Sequence, residues 1–193
     1  MTLLALLAQA WCGACGDPDE GGLVCEAVAA GTSRMLVDHD AWRLATAAED
    51  PWAAHRPGDD ISCPERSRQP EDFAGIYAYG VITTECPYTT LVQASVAQAC
   101  RGETLYVWLW NYALTGPEGA TAHLAVQIGD DVMWEKAYPI PGPAGLVTER
   151  IELARDVPIG TPIYFHVRNH GNNSYELLEV SIVDPDPEDA PAP

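Results

Sequence analysis

A chain of 193 residues, 47% of them apolar, is long enough to bury one substantial core and too apolar to be disordered throughout. Its formal charge of −18, from 28 Asp and Glu against 10 Lys and Arg, repels phosphates; this excludes nucleic acid as the expected partner and argues against a polybasic membrane patch. Sixteen Gly and sixteen Pro favour many short elements over a few long helices.

The chain opens with "MTLLALLAQAWCGACGDPDE". The apolar run Leu3 to Trp11 is too short to span a bilayer and reads as the core of an export signal, although no Lys or Arg precedes Arg34. Residues 1–14 are expected to be a signal of the lipoprotein type, with Cys15 lipidated after cleavage. Ala8-Gln9-Ala10 is a competing cleavage site that would release a soluble protein. The expected location is outside the cytoplasm, as an outer-membrane or cell-surface lipoprotein, otherwise periplasmic or secreted, with the lipid as its only membrane attachment. "GDPDEGG" ends a flexible tether over 15–22.

With Cys12 removed and Cys15 lipidated, Cys25, Cys63, Cys86 and Cys100 remain, an even set that reads as two disulfides in an exported chain. Three pairings are open; Cys63–Cys86 is favoured because it ties an irregular loop to the first strong strand. Residues 23–75 are expected to be an irregular segment packing on the main domain, with "HRPGDDISCPERSRQPEDF" a loop by composition.

From Ile76 the texture changes to eight short apolar or alternating runs: 76–84, 90–98, 104–114, 122–129, 131–138, 146–154, 161–169 and 174–183. "IGDDVM" marks a tight hairpin. Eight strands in one modest domain predict an all-β fold, two antiparallel sheets packed as a jelly-roll β-sandwich over 76–183. The run 174–183 is apolar enough for a central strand buried on both faces. Residues 184–193, "DPDPEDAPAP", read as a disordered acidic, proline-rich tail.

Strand alternation sorts the side chains into an aliphatic core and a second face carrying Tyr106, Trp108, Trp110, His123, Gln127, Tyr164, His166 and Arg168. Flat aromatics beside hydrogen-bonding groups suit sugar rings, which offer a C–H face and hydroxyls. The candidate ligand surface is Trp108, Trp110, His123, Gln127, His166 and Arg168, rimmed by Asn169, His170 and Asn172. "NHGNNS" between two strand runs reads as a hairpin connection with amides closing turns.

His123, His166 and His170 are the weak candidates for a metal set, since no H-x-H or H-E-x-x-H spacing occurs. No cofactor is expected: paired acids at Asp59-Asp60, Glu71-Asp72 and Asp130-Asp131 lack the spacing of a calcium loop. Glu135 and Glu149 are the nearest approach to a glycosidase pair, and no catalytic motif accompanies them.

The strings "GETLYVWLW", "VMWEKAYPIP", "GTPIYFHVRN" and "NSYELLEVSIV" resemble jelly-roll domains of the galactose-binding-like and carbohydrate-binding-module kind in bacterial envelope lipoproteins. The resemblance covers residues 76–183 and implies a sandwich that presents a ligand face; it transfers no binding residue. The expected function is non-catalytic binding of a glycan or another envelope component. The contrasting expectations are an assembly lipoprotein that docks a protein partner, or a histidine metal-binding domain.

Overall fold

The computed structural model describes residues 23–26, 28–58 and 62–184. The signal, Cys15 and tether readings, the acidic tail from 185 onward, and Asp59 and Asp60 lie outside the described residues.

Among the described residues, eleven strands form two antiparallel sheets. The first three belong to the segment before Ile76: β1 (Ser33–Met35), β2 (Arg43–Leu44) and β3 (Arg68–Phe73). The next four are β4 (Ile76–Ile82), β5 (Tyr88–Ala94), β6 (Thr104–Asn111) and β7 (Ala120–Ile128). The last four are β8 (Asp131–Ile140), β9 (Gly145–Glu152), β10 (Pro162–Arg168) and β11 (Ser174–Val183). One sheet runs β3-β4-β11-β6-β9, with β1 also on β11; the other runs β2-β5-β10-β7-β8. The eight strands from β4 onward therefore interleave as 4-11-6-9 and 5-10-7-8, the strand order of a jelly roll.

Alternation explains the core. Leu105, Val107 and Leu109 of β6 and Ile163, Phe165 and Val167 of β10 point between the sheets and are fully buried. On β11 the inward set is Tyr175 and Leu177, then Val180 and Ile182. The parity changes because the pairing with β6 shifts between Leu177 and Glu179. This bulge, rather than two apolar faces, accounts for much of the unbroken "LLEV" text. At the irregularity Nε2 of buried His39 lies 3.1 Å from the Leu178 carbonyl oxygen, in the gap between β4 and β1.

Three local expectations change. "RQPEDF" is not loop but edge strand β3, and its Pro70 is tolerated because β3 pairs on one side only. The segment before Ile76 adds strands to both sheets rather than merely packing on them. Asn169–Ser174 is not a hairpin, since β10 and β11 lie in different sheets; the connection crosses the end of the sandwich. The β7–β8 turn is a hairpin, with Gly129 at φ +56 as the first central residue of a II′ turn.

The disulfides are Cys63–Cys86, as favoured from the sequence, and Cys25–Cys100. Both tie the early segment to the sandwich. Two disulfides mark a chain folded in an oxidising, extracytoplasmic setting.

Candidate functional site

The sequence candidates divide between the two outer faces of the sandwich. Trp108 and Trp110 belong to β6 of the first sheet; His123, Gln127, His166 and Arg168 belong to β7 and β10 of the second. A single face holding all six does not exist, because the core lies between them.

On the first sheet, Tyr106, Trp108 and Trp110 leave β6 outward at alternate positions and stay half-exposed. Trp110 stands opposite Glu176 on one side and Leu146 on the other; Trp108 stands opposite Glu179 and Thr148; Tyr106 stands opposite Ser181 and Arg150. An aromatic line is thus flanked by carboxyls, hydroxyls and one guanidinium. Phe73 of β3 extends it, 6.2 Å from Trp110 between ring centres, and exposed Tyr112 meets Trp110 edge-on at 6.3 Å. Arg150 lies 5.5 Å over the Tyr106 ring. The indole N–H groups of Trp108 and Trp110 are buried without an acceptor among the described residues.

Glu176 is 2% exposed beside this line. Burial first, and then the hydrogen-bonded Glu71 carboxyl, push its pKa up to about 8. A proton shared by the two carboxyls supplies the partner that Glu176 Oε2 otherwise lacks. The pair fits only because Gly80 sits beneath it. A Cβ there would lie 2.5 Å from Glu71 Oε1 and 2.7 Å from Glu176 Oε2. Phe73, Glu71 and Gly80 carry no binding signal in the sequence, because the loop-like composition of β3 hides its alternation.

On the second sheet, a loop over 46–56 folds back across the strands. Buried Asp50 fastens it, accepting from Tyr88 Oη at 2.6 Å, Thr90 Oγ1 at 2.8 Å and the Trp52 N–H at 2.9 Å. Trp52 is thereby stacked on His166 with ring centres 4.7 Å apart. His166 is fully buried, and desolvation, then the nearby His123 and His55, press its pKa down to about 3. His123 lies 5.2 Å from His166 between ring centres, and its Nε2 is 2.8 Å from Glu135 Oε1. Gln127 is also buried and donates to the Gly129 carbonyl. Arg168 is half-buried on the same side.

The expected rim separates in the same way. Asn169 is fully buried and structural: it donates to Thr83 Oγ1 and the Gly171 carbonyl and accepts from Asn173 and Tyr175 Oη. His170 and Asn172 are exposed on the crossing loop. Among the described residues, the ring contacts of His123 and His166 are with Trp52, His55, Tyr88 and each other, not with His170. Glu135 and Glu149 lie in different sheets, on β8 and β9.

A cleft of about 460 Å³ lies beside the β7–β8 turn, and its lining includes Met133, Ile151, Asp131, Arg155 and Asp156. None of the sequence candidates lines it. The one group of three possible metal-binding atoms within 4.8 Å of one another, among the described residues, is Cys25, Cys100 and Glu103, and those cysteines are joined in a disulfide.

No protein-family model and no curated protein matches the chain. Solved structures that it resembles include the K3 cleaved adhesin domain of Lys-gingipain from Porphyromonas gingivalis, at 15% identity and TM-score 0.43, covering 81% of this chain and 100% of that one. The carbohydrate-binding module TmCBM61, solved with β-1,4-galactotriose, is similar at 12% identity and TM-score 0.39 over 79% of this chain and 100% of that one. A CBM4 structure is similar at 12% identity and TM-score 0.40 over 76% and 88%. The strand order, not these likenesses, establishes the jelly roll.

Proposed function

We propose that the protein is a non-catalytic, exported glycan-binding module whose ligand lies along the outer face of β6. The observation that carries this reading is the outward line of Tyr106, Trp108 and Trp110, half-exposed and flanked by Glu176, Glu179, Thr148 and Arg150. Aromatic planes take the apolar face of a sugar ring, and the flanking groups take its hydroxyls. The carboxyls and the net charge of −18 favour a neutral or amino sugar over an anionic one. On this reading Trp108 and Trp110 touch ligand, while Gln127 and Asn169 serve the fold. Membrane attachment through lipidated Cys15 belongs to the same proposal and is supported by the small residues before Cys15 and the acidic tether after it.

The test is glycan-array binding by the oxidised chain, followed by titration of the best neutral glycan. Trp110→Ala is expected to weaken binding at least tenfold, about 1.4 kcal/mol, without lowering Tm by a comparable fraction. An array with no neutral-glycan binder would sink the reading and leave a protein-docking envelope domain as the better description.

A further inference from the structure

The hydrogen bonds on the second sheet dictate the tautomers of His123 and His166. Asp50 is a carboxylate and accepts only; Thr90 has one hydroxyl proton and gives it to Asp50 Oδ1 at 2.8 Å. His166 Nδ1, 2.9 Å from the same Thr90 oxygen, must then be the donor. Its proton is on Nδ1, and Nε2 carries a bare lone pair. The same logic applies to His123. Glu135 accepts at 2.8 Å, so the proton is on Nε2 and the lone pair on Nδ1. Both lone-pair nitrogens, His166 Nε2 and His123 Nδ1, are buried and have no hydrogen-bond partner among the described residues.

Two buried acceptors without donors are costly to fold around, roughly 1–3 kcal/mol each. Two imidazoles, each with its far nitrogen held by a carboxylate directly or through a hydroxyl, are also the arrangement that supports a metal ligand. The spacing fits. Imidazoles on one tetrahedral zinc, with Zn–N of about 2.0–2.1 Å, hold their ring centres roughly 5 Å apart; here they are 5.2 Å apart. His55, exposed on the short 3-10 helix Ala53–His55, is 6.2 Å from His123 between ring centres. As placed, the nitrogens of the three histidines are not all within 4.8 Å of one another, so ligation by His55 requires a change of its side-chain rotamer. Trp52 stacks on His166 and stands edge-on to His123, so the site has an aromatic lid on one side.

We infer that His123 Nδ1, His166 Nε2 and His55 form a transition-metal site for a nitrogen-preferring divalent ion, with Zn2+ as its probe. The fourth position is left to solvent or an exogenous donor. The local charges have both signs: Asp50 and Glu135 favour the cation, and Arg56, 3.8 Å from Asp50, and Arg168, paired with His123 across β7 and β10, oppose it. The site is on the sheet opposite the proposed glycan face and stands or falls independently of it.

The experiment is calorimetric titration of the oxidised full chain with ZnCl2. Cys12 and Cys15 are alkylated and excess Mg2+ is present to occupy the acidic surface. One zinc per chain is expected, together with a rise in Tm. His123→Ala should lower the affinity at least 100-fold, His55→Ala at least tenfold, and Glu135→Gln 10- to 100-fold through its loss behind His123. His166→Ala is avoided as the main variant because His166 is part of the packed face. Co2+ in place of zinc should show the intense visible bands of four-coordinate nitrogen ligation, absent in His123→Ala. A wild-type chain that takes up no zinc under these conditions, or a His123→Ala chain that binds it equally well, would overturn the proposal.

Discussion

Glu176 shows how one side chain's position can oppose the general character of the sequence. The chain is strongly acidic, yet this carboxyl holds its proton near neutrality because burial and Glu71 both disfavour the anion. Its folded pKa, about 8, lies above the ordinary 4.5, so the folded state binds the extra proton. Stability from this group is fully present below about pH 4.5 and is lost as pH rises toward 8. Glu176→Gln keeps a donor toward Glu71 at every pH. We expect its Tm to exceed that of the wild type by on the order of 5 °C at pH 9, with little difference at pH 5. Parallel melting curves across that range would place the proton elsewhere. None of this was legible in the sequence, where Glu176 is one of 28 acids; it depends on Gly80 and Glu71, which reach it only through the β3-β4-β11 pairing.

At the scale of elements, the 46–56 loop matters most, because it decides which half of the second sheet is open. Its anchor is Asp50, which collects three donors and faces Arg56 at 3.8 Å. Removing it takes the acceptor from the buried Thr90 hydroxyl and the Trp52 N–H and leaves Tyr88 Oη with the Trp52 carbonyl alone. Asp50→Ala is expected to cost about 2–4 kcal/mol in urea unfolding and to red-shift tryptophan emission as Trp52 leaves His166. A variant that unfolds at the wild-type urea midpoint with unchanged emission would show that the loop is held by its apolar contacts alone. The strand runs from Ile76 onward were readable because period-two alternation is local. The loop was not, because Tyr88 and Thr90 lie 36 to 40 residues along the chain from the loop residues they bond, and His166 lies a further 76 residues beyond Thr90. β3 was missed for a related reason: Pro70 and four charged or amide side chains suit an edge strand but look like loop text.

For the molecule as a whole, the two disulfides bind the early segment to a sandwich that the later strands build. In the chain-entropy account the larger loop contributes more. Opening Cys25–Cys100, with a separation of 75 residues, should therefore cost about 1 kcal/mol more than opening Cys63–Cys86, with a separation of 23. Chemical denaturation of the paired Cys→Ser variants checks the order; a reversed order would mean that the Cys63 loop carries packing that the link protects. The all-β class, the sandwich, the even cysteine set and the aromatic line of β6 are legible in residue order alone, because alternation and composition act over neighbouring residues. Residue order also assigns Trp110 and His123 to one surface, and the pairing of distant strands separates them. In a jelly roll successive strands pass back and forth between two sheets, so residues that share an outward parity are sent to opposite sides of the core. The same crossing brought His55, His123 and His166 together from three distant segments, which no spacing along the chain could announce.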